Sequence, residues 1–405
     1  VKKIIPLLLL LILLFSSLFL VASFYRKDRV PALSAPQITP APPVKKEPVF
    51  VKPHKPRYVR GIHLSAWIAG SKKHRQKIKQ LFAETELNTV VIAVKEYNGE
   101  VYIPGVKTAQ EIGAYRAAMP DIRTFLDELK KDGVYTSARI VLFKDSIAAT
   151  MRPEWAVRDA SGNIWKNNKG TAWVDPYNRN TWEYNFAVAE ACIDLGFEEI
   201  QFDYVRFPSD GEVSQCRYSQ PHSSTTAINN LGDFLRAARK RLKEKRGANI
   251  SVDVFGLTTA VEHDMGIGQN IVAMAKEADF ICPMVYPSHY PKGSFGYRNP
   301  NSQPYPIVCK SMEKASRRLG LDTGKLRPYL QDFSLGYKYT SKEVREQIQA
   351  CYDMDIPEWT LWNPRSSYSS EALLEPRFSS RYENNRSSET KGSSSPQNAA
   401  SPQTK

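Results

Sequence analysis

Two aspartates stand where a folding chain has most reason to avoid them. The segment "EIQFDYVRFP" (199–208) has the apolar and aromatic content of a buried strand, yet it carries Asp203. The segment "ISVDVFG" (250–256) carries Asp253 in the same setting. A buried carboxylate costs several kcal/mol unless it is paired or hydrogen-bonded. Side chains alternate across a strand. Gln201, Asp203 and Val205 therefore share one face, while Ile200, Phe202 and Tyr204 share the other and suit packing against helices. Ser251, Asp253 and Phe255 share a face of the later strand. Adjacent parallel strands would bring the two carboxyls within several ångströms. One can then protonate a leaving oxygen while the other attacks or activates water, which is what hydrolysis of a glycosidic bond needs. The structural alternatives are an Asp203 held by Arg206 or a lysine, and an Asp253 that merely orients its neighbour.

Other charged residues close strand-like segments. Glu96 ends "VVIAVKEYNG", Asp145 ends "IVLFKD", and Asp332 lies in "PYLQDFS". Each could be acid, base or substrate clamp. Lys95, Arg139 and Lys144 lie beside them and could neutralise them instead. The aromatic residues Trp67, Trp155, Trp165, Trp173, Tyr177, Tyr286, Tyr290 and Trp362 fall in or near the same segment ends. Sugar rings stack their C–H faces on such groups, and their hydroxyls need polar partners. Arg206, and His289 in "YPSHY", are candidates for those hydroxyls. His63 in "GIHLSAW" reads as a satisfied interior histidine. The six histidines offer no HExxH or other metal spacing, so neither metal ligands nor a cofactor are expected. P-loop, GxGxxG and GxSxG patterns are absent from the sequence.

Those residues need a scaffold that gathers strand ends. Eight β-like runs, at 59–67, 89–96, 135–143, 199–207, 250–256, 279–286, 326–333 and 359–362, alternate with helical patterns. The helical patterns fall at 73–85, 122–131, 181–195, 228–245, 271–276, 308–319 and 342–351. The alternation predicts a single-domain α/β fold, a (β/α)8 TIM barrel. The helix before the fourth strand shows a capping-box spacing, Asn180 to Glu183, and a stop at Gly196. Helix-to-strand joins are short, such as 132–134. Strand-to-helix joins are long, at 97–120, 144–180, 206–225 and 287–304. In a barrel the long joins collect at the C-terminal face, where barrel chemistry occurs.

The 405 residues carry a formal charge of +14. Residues 1–60 alone hold eleven Lys/Arg against two Asp/Glu, so the folded part is nearly balanced and no phosphate-tracking groove for nucleic acid is indicated. The five cysteines include no CxxC. Cys192 and Cys282 read as core thiols; a disulfide among the others stays open for an exported domain. Lys2-Lys3 followed by an apolar run from Ile4 to about Tyr25 reads as an export signal, here expected to remain as a membrane anchor over 1–28. Cleavage after Val21-Ala22-Ser23, releasing a secreted form, is the alternative. Residues 29–57 are a Pro-rich spacer. Residues 58–378 form the expected barrel, and 379–405 a disordered Ser-rich tail.

The ordered set "GIHLSAW", "VVIAVKEYNG", "ARIVLFKD", "AWVDPY", "GFEEIQFDYVRFPSDG", "SVDVFG", "PMVYPSHY", "RPYLQDF" and "LWNPRSSY" covers nearly all of 61–368. It resembles a bacterial glycoside hydrolase domain family, formerly a domain of unknown function, related to the amylase-like barrel enzymes. The resemblance implies a sugar-active barrel with an acidic site and carries over to Asp203. Glu96 stands where the family usually has an aspartate after the lysine. The change keeps the charge and adds a methylene.

The expectation is a glycosidase with catalytic Asp203, Asp253 and Glu96. Trp67, Lys95, Arg139, Asp145, Trp173, Arg206, Tyr286, His289, Asp332 and Trp362 would hold a polysaccharide or oligosaccharide outside the cytoplasm. A non-catalytic, envelope-anchored glycan-binding barrel is the alternative.

Overall fold

The computed structural model describes residues 49–376. The expected membrane segment, most of the spacer and the Ser-rich tail lie outside the described residues. Among the described residues no helix is long and apolar enough to cross a membrane. The strands are β1 (Arg60–Leu64), β2 (Thr89–Lys95), β3 (Tyr135–Val141), β4 (Glu199–Asp203), β5 (Asn249–Phe255), β6 (Phe280–Met284), β7 (Tyr329–Gln331) and β8 (Trp359–Trp362). Each pairs in parallel with the next, and β8 pairs back to β1, closing the barrel. The intervening helices are α1 (Lys72–Glu84), α2 (Ile122–Lys131), α3 (Arg179–Leu195), α4 (Ser224–Ala238), α5 (Ile271–Ala275), α6 (Pro304–Leu319) and α7 (Ser341–Asp353).

Alternation explains the two layers. Residues such as Val90, Ile92, Ile200, Phe202, Val252 and Val254 point outward into the apolar layer under the helices. Phe202 meets Phe234 of α4 edge-on at 5.2 Å, and Phe186 of α3 stacks on the same ring at 5.1 Å. The inward set is far more polar. At the base, Glu199 receives Arg327 Nη1 at 2.8 Å, Ser251 Oγ at 2.7 Å and the Tyr135 hydroxyl at 3.0 Å. Arg327 Nε also donates to Glu358 at 3.0 Å. Residues 49–57, read as spacer, close this base. Val51 N donates to the Arg246 carbonyl at 2.7 Å, while His54 reaches Glu198 and Lys55 reaches Glu358.

Three local readings change. The fourth strand stops at Asp203, because Tyr204 adopts a left-handed φ of 52°. A non-glycine residue there leaves the pleat, so Tyr204 does not continue the outward face. The third helix is capped by Asn178, whose side chain accepts from Asn180 N, and not by Asn180; it does stop at Gly196. The fourth helix ends at Ala238 and continues as a π-helical turn over Arg239–Glu244. The five cysteines are all free thiols, with Cys282 turned into the barrel.

The base network has a consequence for stability. Arg327→Met strands the Glu199 carboxylate in the interior and should cost about 3–5 kcal/mol. Adding Glu199→Gln should recover part of the loss. Urea unfolding of wild type, single and double variants measures both; equal losses in the single and double variants would contradict the pairing.

Candidate active site

The strand ends bring four charged groups together at the mouth. Arg139 from β3 reaches across to β4, where its Nε and Nη2 donate to Asp203 Oδ2 at 3.0 and 2.5 Å. Its Nη1 donates to Glu96 Oε2 at 3.3 Å. The same Nε lies 4.0 Å from Asp253 Oδ2, too far for a hydrogen bond. Asp203 Oδ1 accepts from the Tyr204 amide at 2.6 Å, a bond made possible by the left-handed turn. Asp253 Oδ1 is buried with no hydrogen-bond partner among the described residues.

The electrostatics follow from these contacts. Burial alone would lower the Arg139 pKa, but Asp203, Glu96 and Asp253 outweigh it and raise it well above the usual value. Asp253 moves the other way from a normal carboxylate. Burial, then the charge of Asp203, raises its pKa well above the usual range, against the pull of Arg139. One aspartate is thus ion-paired, while its neighbour is held toward the protonated form. Opposed environments of this kind divide acid from base.

Both aspartates line a cavity of about 430 Å³ that also exposes Arg139, Arg206, Tyr286, His289 and Trp362. Tyr286 stacks on Trp362 with centroids 5.6 Å apart, and Phe333 meets Trp362 edge-on at 5.1 Å. His289 Nδ1 pairs with Ser288 Oγ at 2.9 Å, and burial lowers its pKa. Asp203 is held by Arg139 of the preceding strand, and Arg206 forms no ion pair with it.

The other expected residues lie elsewhere. The β2–β3 register shifts between Ala93 and Lys95, so Lys95 pairs with Ile140 on the outward face. Its ammonium is fully buried against Asp145 at 2.8 Å and donates to the Val141 carbonyl and Asn185. Asp145 also caps the helix that follows, accepting from Ala148 N at 2.7 Å. Gly99 has a φ of 95°, and a Cβ on it would fall 2.1 Å from Asp145 Oδ1, so the pair needs that glycine. The same bulge turns Glu96 inward to Arg139. Trp173 is buried behind Arg206, and Trp67 is 62 % exposed against Tyr102. Asp332 accepts from Ser369 N and Oγ, each at 2.8 Å, and ties down the loop after β8. None of these six, Glu96 included, lines the cavity.

His63 faces the barrel interior, but neither ring nitrogen has a partner among the described residues. Burial, with Arg139 second, lowers its pKa well below the usual value. The cavity also takes in Tyr204, Phe255, Gln269, Tyr290 and Tyr329. Tyr329 was accessible to alternation from Arg327. Gln269 was not: it sits in an irregular loop and accepts from Phe255 N at 2.9 Å, bracing the end of β5.

Residues 61–368 match a protein family described as a "putative glycosyl hydrolase domain". No curated protein matches the sequence. Among solved structures, a hypothetical protein from Ruminiclostridium thermocellum ATCC 27405 is 30% identical, with 48% of this chain and 97% of that chain covered and a TM-score of 0.43. The glycoside hydrolase domain of PgaB (BpsB) from Bordetella bronchiseptica is 13% identical, covering 76% of this chain and 95% of its own, at a TM-score of 0.58. A chitobiase from Flavobacterium johnsoniae is 12% identical, covering 82% of this chain and 51% of its own, at 0.50. At such identities the latter two are alike in fold alone.

The raised pKa of Asp253 has a sign that stability can read. The folded chain keeps a proton that the unfolded chain releases, so stability is lost as pH rises above the ordinary carboxylate range. Asp253→Asn cannot ionise and should raise the melting temperature at neutral pH. The gain should fade below about pH 4. Thermal unfolding across pH tests this, and a variant less stable than wild type at neutral pH would contradict it.

Proposed function

The chain belongs to this glycosyl hydrolase domain family, and on that premise we propose that it hydrolyses a glycosidic bond in an extracellular or cell-envelope polysaccharide. One observation carries the reading. Two carboxyls from adjacent strands face a single cavity, one paired with a guanidinium and the other pushed toward its neutral form. Asp253 donates its proton to the leaving oxygen as the carbon–oxygen bond breaks. Asp203 faces the positive charge that develops on the sugar and acts as nucleophile or as base toward water. Arg139 keeps Asp203 oriented through two hydrogen bonds. Glu96 holds the far side of that guanidinium and acts as a positioning residue. The stacked Tyr286 and Trp362 offer a flat face to a sugar ring, and His289 can meet a hydroxyl. The apolar run from Ile4 to about Tyr25, after Lys2-Lys3, supports export, with the barrel tethered outside the cytoplasm.

The test is a panel of bacterial envelope glycans offered to the wild-type chain, Asp203→Asn and Asp253→Asn. Each variant should lose about 10²–10⁴-fold in kcat with its circular dichroism unchanged. Glu96→Gln should lose less. Wild-type kcat/KM should fall as pH rises through the raised value of Asp253, because the acid then loses its proton. Turnover by Asp203→Asn equal to wild type would sink the assignment. Saturable binding without turnover would instead identify a glycan-binding barrel.

A further inference from the structure

Arg206 follows β4 by three residues, and the left-handed turn at Tyr204 brings it over the mouth. It is 5 % exposed. Its guanidinium carbon lies 4.9 Å from the ring centre of Trp173, 4.7 Å from Tyr204 and 4.6 Å from Phe255. Nη1 donates to the Phe207 carbonyl at 3.1 Å and to Ser209 Oγ at 2.9 Å. Among the described residues no carboxylate lies within ion-pair distance of it. Arg139, the other guanidinium on the cavity, is already engaged by Asp203 and Glu96.

Lys144 repeats the pattern. Its ammonium sits 5.3 Å from the ring centre of Tyr204 and 5.3 Å from that of Tyr97. It too has no described carboxylate within ion-pair distance. Two acids act on both cations from beyond ion-pair distance: Asp203, which is engaged by Arg139, and Asp210, which is tied to Asn167 Nδ2 at 2.5 Å. Two cations thus share one aromatic ring, Arg206 buried on the cavity wall and Lys144 half-buried just outside it, and neither forms an ion pair among the described residues. Aromatic faces compensate a buried cation in part, by about 0.5–2 kcal/mol each. They do not replace an anion, and uncompensated buried charge is costly. A planar guanidinium matches the oxygens of a carboxylate or sulfate.

We propose that Arg206, with Lys144 across the Tyr204 ring, recognises a negatively charged substituent, a carboxylate or a sulfate, on the sugar beside the scissile bond. The inference rests on the glycosidase reading for the sugar and adds its charge. The same strand end then supplies both chemistry and selection, since Asp203 and Arg206 flank one turn.

Isothermal titration calorimetry on the full chain tests it with two matched pairs. One pair is a glucuronic acid oligosaccharide and its carboxyl-reduced counterpart. The other is a sulfated oligosaccharide and its desulfated counterpart. The charged member of one pair should bind about tenfold more tightly or better. The preference should shrink with added salt, vanish in Arg206→Gln and survive in part in Arg206→Lys. The pair that shows it identifies carboxylate or sulfate. Equal affinity within both pairs, no binding of either charged probe, or a preference that persists in Arg206→Gln would overturn the proposal. The wild-type comparison stands even where Arg206→Gln does not fold. Turnover is read separately: charge preference without hydrolysis counts against the glycosidase alone, and hydrolysis without charge preference against the anion site alone.

Discussion

The guanidinium of Arg139 is the interaction on which the mouth of this barrel depends. Three carboxyls converge on it, from Glu96 just after β2, Asp203 of β4 and Asp253 of β5. Three negative charges at such a spacing repel one another strongly in a low-dielectric wall. One buried cation cannot answer all three equally. It binds Asp203 through two nitrogens and Glu96 through a third, and leaves Asp253 at the edge of its reach. Burial and the charge of Asp203 then raise the pKa of Asp253, and Arg139 at that distance offsets only part of the rise. A lysine there would offer a point charge and lack the fork that holds two carboxylates at once.

The two ends of the barrel handle buried charge differently. At the base, Glu199 and Glu358 both meet Arg327, and hydroxyls from Tyr135, Ser137 and Ser251 fill in around Glu199. That end is closed by residues 49–57 and braces the strands. At the mouth, Asp253 Oδ1 and both nitrogens of His63 lack partners, and Arg206 has aromatic rings where an acid would be expected. Leaving buried polar groups unanswered costs stability. The base keeps unpartnered atoms of its own, Arg327 Nη2 and His54 Nε2 among them, but among the described residues only at the mouth do such groups, on Asp253 and Arg206, border a cavity that a ligand can enter. The (β/α)8 architecture supplies the asymmetry, because long strand-to-helix joins collect on one face only.

Comparison with known proteins bears on the scaffold and the family. The match over residues 61–368 assigns the family, and the Bordetella bronchiseptica domain shares the fold at 13% identity. Likeness at that level concerns the barrel, since unrelated chemistries share it. The functional argument therefore rests on the particular contacts of Arg139, Asp203 and Asp253.

Sequence by itself determined the eightfold alternation, the loop-rich end and the facing of Gln201, Asp203 and Asp253. These follow from period-two patterning and loop length, which are local and need no knowledge of contacts. It also marked Arg139, Arg206, Tyr286, His289 and Trp362, all of which line the cavity. Tertiary structure decided the rest. A single bulge after Ala93 sends Lys95 outward to Asp145 and turns Glu96 inward, reversing what strict alternation implies. A left-handed Tyr204 ends β4 early and carries Arg206 to the rim. Asp332 and Trp173 serve loop anchoring and packing, because their partners Ser369 and Arg206 reach them only through the fold. One inserted residue or one positive φ inverts a side chain's direction. Neither has a composition that announces it, and both are selected by contacts distant in the chain.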